Sequence, residues 1–183
     1  MNPKTITTPL DDATARSLRA GDKVLLSGEI FTARDAAHKR LFELLETGED
    51  LPVDLKGQIL YYTGPTPARP GAVIGSAGPT TSYRMDPYTP ALIRETGLKG
   101  MIGKGNRSPE VVEAMKRHTC VYLAAVGGAG ALIAQCVQTC RLVCYEDLGP
   151  EAIRLLRVKD FPAVVAIDCH GNNLYETARA PKD

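Results

Sequence analysis

No run of apolar residues approaches the roughly 18 to 20 that a membrane span requires, and the opening Met1-Asn2-Pro3-Lys4 lacks the apolar core of a signal peptide. These absences point to a cytoplasmic protein. Surplus charge is missing as well. With 22 Lys and Arg against 21 Asp and Glu, no long-range field draws the chain onto nucleic acid or an anionic membrane, so any anion preference has to be local. The five cysteines are odd in number and lack the spacing of a small disulfide scaffold, which fits a reducing compartment with free thiols. Internal repeats and low-complexity tracts are absent, which disfavours solenoids. So are the nucleotide fingerprints: there is no G-x-x-x-x-G-K-[ST], and Gly127-Gly128-Ala129-Gly130 lacks the G-x-G-x-x-G spacing.

What remains is a chain of 183 residues, 44% apolar, enough to bury a sizeable core as a single domain over 1–183. Lys23 to Ala33 reads as a strand interrupted at Gly28. Ala37, Leu41, Leu44 and Leu45 then recur at helical spacing, with Asp35 as the expected cap. Gln58 to Tyr62 reads as a strand, and the prolines at 65, 67 and 70 mark a loop. Beyond it, apolar runs alternate with helical patterns. Strands are expected at Ala72–Ser76, Lys99–Gly103, Cys120–Ala125, Leu142–Tyr145 and Ala163–Asp168. Helices are expected at Pro90–Glu95, Pro109–Arg117, Leu132–Val137 and Pro150–Leu156. Thr89-Pro90 and Ser108-Pro109 each place a hydroxyl cap before a proline. This alternation predicts an α/β fold with a mainly parallel sheet and crossover helices.

In such sheets ligands bind at the carboxyl ends of strands, where helix N-termini offer unpaired N–H groups. Three of these junctions carry a cation: Arg34, Arg84 after Gly78-Pro79-Thr80-Thr81-Ser82-Tyr83, and Lys104 between Gly103 and Gly105. Converging, they would hold a small polyanion; separately, each is an ordinary solvated side chain. The flanking glycines leave the backbone free to turn around the lysine. Three successive hydroxyls, Thr80, Thr81 and Ser82, suit helix capping, anion binding or proton movement. A threonine becomes a base only where cations stabilise its alkoxide-like state, and Arg84 would lie one turn from Thr80 if the segment is helical.

Cys136, Cys140 and Cys144 repeat every fourth residue, inviting an iron–sulfur reading, but the run crosses an expected helix-to-strand boundary and matches no ordinary ligand spacing. Buried structural thiols are the plainer account. Among the histidines, His38 falls one turn into the helix after Arg34 and can face the same cleft, whereas His118 reads as core or surface.

Gly78-Pro79-Thr80-Thr81-Ser82-Tyr83-Arg84-Met85-Asp86, Gly103-Lys104-Gly105-Asn106-Arg107-Ser108 and Asp168-Cys169-His170-Gly171-Asn172-Asn173 together resemble the β subunit, or C-terminal domain, of class I iron–sulfur fumarases and the related L-tartrate dehydratases. Arg34-Asp35-Ala36-Ala37-His38, Gly127 to Gly130 and Asp160-Phe161-Pro162 extend the resemblance over nearly the whole chain. It implies a swivelling β/β/α-type domain and a hydro-lyase interconverting fumarate and L-malate. It further implies a [4Fe-4S] cluster carried by a partner α subunit, with no metal on this chain, and an α2β2 assembly. Carried over by position, Arg34, Thr80, Thr81, Arg84 and Lys104 bind the dicarboxylate, Thr80 is the candidate base, and Asp35, His38, Gly103 and Gly105 lie behind them. Tyr83 leans toward the tartrate enzymes and Gly105 to Ser108 toward the fumarases. A tartrate-type β subunit and a non-catalytic anion-binding module are the competing readings.

Overall fold

The computed structural model describes residues 2–125 and 130–177. Seven strands alternate with helices. In chain order they are β1 (Lys4–Thr7), α1 (Asp12–Ser17), β2 (Lys23–Thr32), α2 (Asp35–Thr47), β3 (Ile59–Tyr61), α3 (Thr89–Thr96), β4 (Gly100–Gly103), α4 (Pro109–His118), β5 (Val121–Ala125), α5 (Gly130–Gln135), β6 (Val137–Cys144), β7 (Ile153–Ile167) and α6 (Leu174–Thr177). Short 3-10 segments at Ser82–Met85 and Glu146–Glu151 complete the set.

β1 to β5 pair in sequence and in parallel, as crossover helices require. β7 runs antiparallel to β2, β5 and β6, so the sheet is mostly parallel and β2, β3, β4, β5 and β7 close into a ring. Side-chain alternation sorts the core into two clusters. Ile59, Tyr61, Ile102, Leu123 and Phe161 point to one, while Leu60, Met101 and Tyr122 point to the other, where Leu41 of α2, Leu92 of α3 and Met115 of α4 cover them.

Several local expectations hold for physical reasons that the geometry displays. Gly28 has φ +114° and sits where the β2–β7 register shifts, a bulge that a side chain would strain. Ser108 caps α4 by accepting from the Val111 N–H, with Pro109 as the first helical residue.

Others need correction. Asp35 is not the cap of α2: Arg34 occupies that position without a side-chain capping bond, and Asp35 is the first helical residue. Thr89 likewise lies inside α3, its hydroxyl donating to the Met85 carbonyl. Ala72–Ser76 is not a strand. Its end is tied instead to the proline loop, the Ser76 N–H donating to Thr66 Oγ1 at 2.8 Å and the Thr66 N–H to the Ser76 carbonyl at 3.0 Å. Pro150–Leu156 is not a helix, because Gly149 adopts φ 56°, ψ −118° and the chain then enters β7, fifteen residues long. β6 also starts earlier than Leu142, at Val137. Gly127, Gly128 and Ala129 lie outside the described residues; Gly130 opens α5, and a Cβ there would come within 3.0 Å of the Gly78 nitrogen. Among the described residues no helix is long and apolar enough to cross a membrane.

Candidate functional site

Arg34 leaves the carboxyl end of β2 and runs past the end of β3, where Gly64 makes room for it: a Cβ at Gly64 would stand 2.9 Å from Arg34 Nη1 and 3.3 Å from the Pro150 carbonyl. On its other side two carboxylates face the guanidinium. Asp35 Oδ2 lies 3.7 Å from Nε and Glu151 Oε1 3.7 Å from Nη2. The second oxygen of Glu151 accepts the Ala36 N–H at 3.0 Å, so this residue supplies the N-terminal acceptor that Asp35 was expected to provide. Nothing local marked Glu151, which follows Pro150 in a stretch read as helix.

Asp35 reaches the second arginine too. Its Oδ1 stands 3.1 Å from Arg84 Nε, so one carboxylate lies between both guanidiniums. Arg84 sits on the 3-10 segment Ser82–Met85 rather than one α-turn beyond Thr80, since Thr81 is extended at φ −66°, ψ 122°.

The hydroxyl turn is held from two strands at once. The Thr80 N–H donates to the Tyr62 carbonyl at 2.7 Å, its carbonyl accepts from the Lys104 N–H at 3.3 Å, and the Ser82 N–H donates to the Lys104 carbonyl at 2.9 Å. Thr81 and Lys104 thereby form a parallel bridge. Capping, the plain reading of these hydroxyls, does not describe them. Thr81 makes no side-chain cap bond, and Ser82 is buried, its Oγ 2.8 Å from the Tyr122 hydroxyl, which donates to the Gly105 carbonyl at 2.9 Å. The Thr80 and Thr81 side chains are half-buried and hydrogen-bond to no other described residue. Lys104 is exposed and makes no ion pair among the described residues.

Gly103 and Gly105 have different tasks. A Cβ on Gly103 would overlap Ser82 Oγ, whereas Gly105 turns the chain at φ +84°. His38 stands behind Arg34, fully buried, its Nδ1–H donating to the Arg34 carbonyl at 2.9 Å and its ring edge-on to Tyr62. Burial, reinforced by the nearby Arg107 charge, pulls its pKa down to about 4, so it is neutral at ordinary pH.

The structure thus brings Asp35 against both Arg34 and Arg84 and bridges the 80–84 segment to Lys104, beyond the carboxyl ends of β2, β3 and β4. Two clefts of about 610 and 390 Å³ flank the loop at 65–76, and neither is lined by these residues. Chemically, the arrangement offers a carboxylate several cationic donors and an unbonded hydroxyl on an open edge.

The cysteine run divides between the two core clusters. Cys136 and Cys140 pack against the cluster centred on Phe161 and Cys144 against the other; burial pushes all three thiols up. They are half-buried rather than buried. Among the described residues no three His, Cys, Asp or Glu side chains are placed to hold a metal ion.

Comparison with known proteins places this geometry in context. The family described as Fumarase C-terminus matches residues 4–178. A Methanocaldococcus jannaschii chain described as an L(+)-tartrate dehydratase β subunit is 41% identical over 166 residues, 88% of this chain and 85% of that one. A Geobacillus stearothermophilus protein described as a class I fumarate hydratase is 41% identical over 94% of this chain but 33% of its own length. The aerobic class I fumarate hydratase of Escherichia coli K12 is 41% identical over 84% of this chain and 28% of its own. The chain therefore spans about a third of the fumarate hydratases it matches.

Proposed function

The chain belongs to the fumarase C-terminal family, and from that premise we propose that it is the β part of a hydro-lyase, binding a small dicarboxylate with Arg34, Arg84, Lys104 and the Thr80–Thr81 hydroxyls. The observation that carries this reading is the meeting of Arg34 and Arg84 about Asp35 beside the turn pinned to Lys104.

Hydrating fumarate, or dehydrating L-malate, passes through a state in which a carbon beside a carboxylate has lost its proton. Charge then accumulates on the carboxylate oxygens. Guanidinium and ammonium donors fixed in advance stabilise that charge more than they stabilise the ground state. Thr80 is the candidate proton acceptor: its hydroxyl is unbonded among the described residues, and the neighbouring cations lower the cost of its negative form.

The [4Fe-4S] cluster that the resemblance implies is assigned in this reading to a partner α subunit, in an α2β2 assembly in the cytoplasm; the β-subunit description of the M. jannaschii relative supports such a partner. An open edge suits that division, because a second body must close over the site to exclude water. The tartrate reading draws its support from the M. jannaschii β subunit, whose length this chain nearly spans.

The test is an anaerobic preparation with the α partner, assayed against fumarate, L-malate, L-tartrate and mesaconate. Turnover of fumarate above the others is expected, and preference for L-tartrate decides for the second reading. A charge-assisted hydrogen bond is worth roughly 1.5–3 kcal/mol, so Arg34→Ala or Lys104→Ala should slow kcat/KM by about one to two decades. Thr80→Ala should lower kcat more than it raises KM; full turnover in that variant removes the base. Failure of every partner and diacid to give turnover favours a non-catalytic anion-binding module.

A further inference from the structure

We propose that Asp35 is a positioning residue that holds Arg84 by its Nε edge and so presents the terminal nitrogens of Arg84 to the substrate carboxylate. The inference rests on the reading that Arg34 and Arg84 bind substrate.

Three features of the geometry support it. Asp35 is the first residue of α2, where the positive end of the helix favours an anion and holds it in place. Its oxygens are divided, Oδ1 lying 3.1 Å from Arg84 Nε and Oδ2 3.7 Å from Arg34 Nε. The terminal nitrogens of Arg84 hydrogen-bond to no described residue. A guanidinium engaged through Nε keeps donors free for paired contact with a second carboxylate, which is the recognition that arginine performs and lysine does not. Oδ2 has no hydrogen-bond partner among the described residues, nor has Arg34 Nε.

The opposite role is a built-in competitor, a carboxylate that occupies the arginines until substrate displaces it. The two roles predict opposite signs. Removing an orienting carboxylate weakens substrate binding, and removing a competitor strengthens it.

The experiment uses the assembled enzyme with its partner and the preferred diacid. Asp35→Asn, which keeps shape and removes charge, should raise KM about tenfold with kcat held within about threefold, the loss of roughly one oriented ionic contact. Its melting temperature should stay near that of the parent. Because the effect passes through Arg84, the double variant Asp35→Asn/Arg84→Lys should be no worse than Arg84→Lys alone. Asp35→Glu, which keeps the charge and displaces it, should raise KM by less than Asp35→Asn, and serves if the asparagine variant folds poorly. Unchanged or lowered KM, or additive losses in the double variant, overturns the proposal. If Arg34→Lys and Arg84→Lys both leave KM unchanged, the substrate-binding reading falls and takes this inference with it. If they raise KM and Asp35→Asn does not, only the role of Asp35 is lost.

Discussion

Arg107 and Asp86, twenty-one residues apart, form a buried ion pair beneath the candidate site, with Nε donating to Oδ1 at 2.7 Å and the arginine side chain wholly inaccessible. The other carboxylate oxygen accepts the Ser108 N–H at 2.7 Å, and Nη2 donates to Thr89 Oγ1 at 2.9 Å. The guanidinium also lies against the rings of Tyr62 and Tyr122. One side chain therefore ties the start of α3 to the start of α4 and supports the strand ends that carry Thr80 and Lys104.

Arg107→Met should consequently destabilise the fold by about 3–5 kcal/mol, because it leaves the Asp86 carboxylate buried without its cation. Arg107→Lys should recover little, since an ammonium cannot reach carboxylate and hydroxyl in the same planar fork. Urea unfolding measures both. A loss below about 1 kcal/mol for Arg107→Met would mean that water or another cation compensates Asp86.

Gly64 and Gly103 separate binding from folding. At Gly64 an added methyl meets chiefly the Arg34 side chain, so Gly64→Ala should raise KM for the diacid while costing under about 1 kcal/mol of stability. At Gly103 it meets Ser82 Oγ, which is held against Tyr122 and cannot swing away. Gly103→Ala should cost about 1–3 kcal/mol through overpacking and damage kcat and KM together, by displacing the segment that carries Thr80 and Arg84. Thermal melting beside steady-state kinetics distinguishes the two patterns; equal stability losses would contradict it.

The core strands were legible because their side chains obey a period of two. Ile59, Leu60 and Tyr61 go to alternate clusters, and β4 and β5 fall within one residue of their expected starts. Ser108-Pro109 and Gly28 were legible because one local rule sufficed for each. β7 was not, since its regularity comes from partners far along the chain. Residues near 153–158 lie between β2 and β6, whereas 163–167 meet β5. Between them Asp160 takes φ 51°, and Pro162 is tolerated where the flanking partner changes. At the site, Arg34, Arg84 and Lys104 were visible as cations at junctions. Glu151 and Asp86 were not, because a carboxylate's meaning depends on the guanidinium that it meets, and neither partner is near in sequence.

His38 gives the pH dependence. Unfolded, its imidazole takes up a proton below about pH 6.5; folded, burial holds the group neutral down to about 4. The unfolded chain thus binds more protons between those values, and stability must fall as the pH drops through that window. Above pH 6.5 both states are neutral and this residue contributes no slope; below about 4 both are charged and the slope ends. The displacement amounts to on the order of 3 kcal/mol. Chemical denaturation from pH 8 to pH 4 should show this decline, and His38→Gln should flatten it. Kinetics provide the complementary check. With Nδ1–H donating to the Arg34 carbonyl and Nε2 buried without a partner among the described residues, His38 is expected to fix the backbone beneath Arg34 and to exchange no proton with substrate. An inflection in kcat between pH 6 and 7 that disappears in His38→Gln would instead make the imidazole a participant in proton transfer.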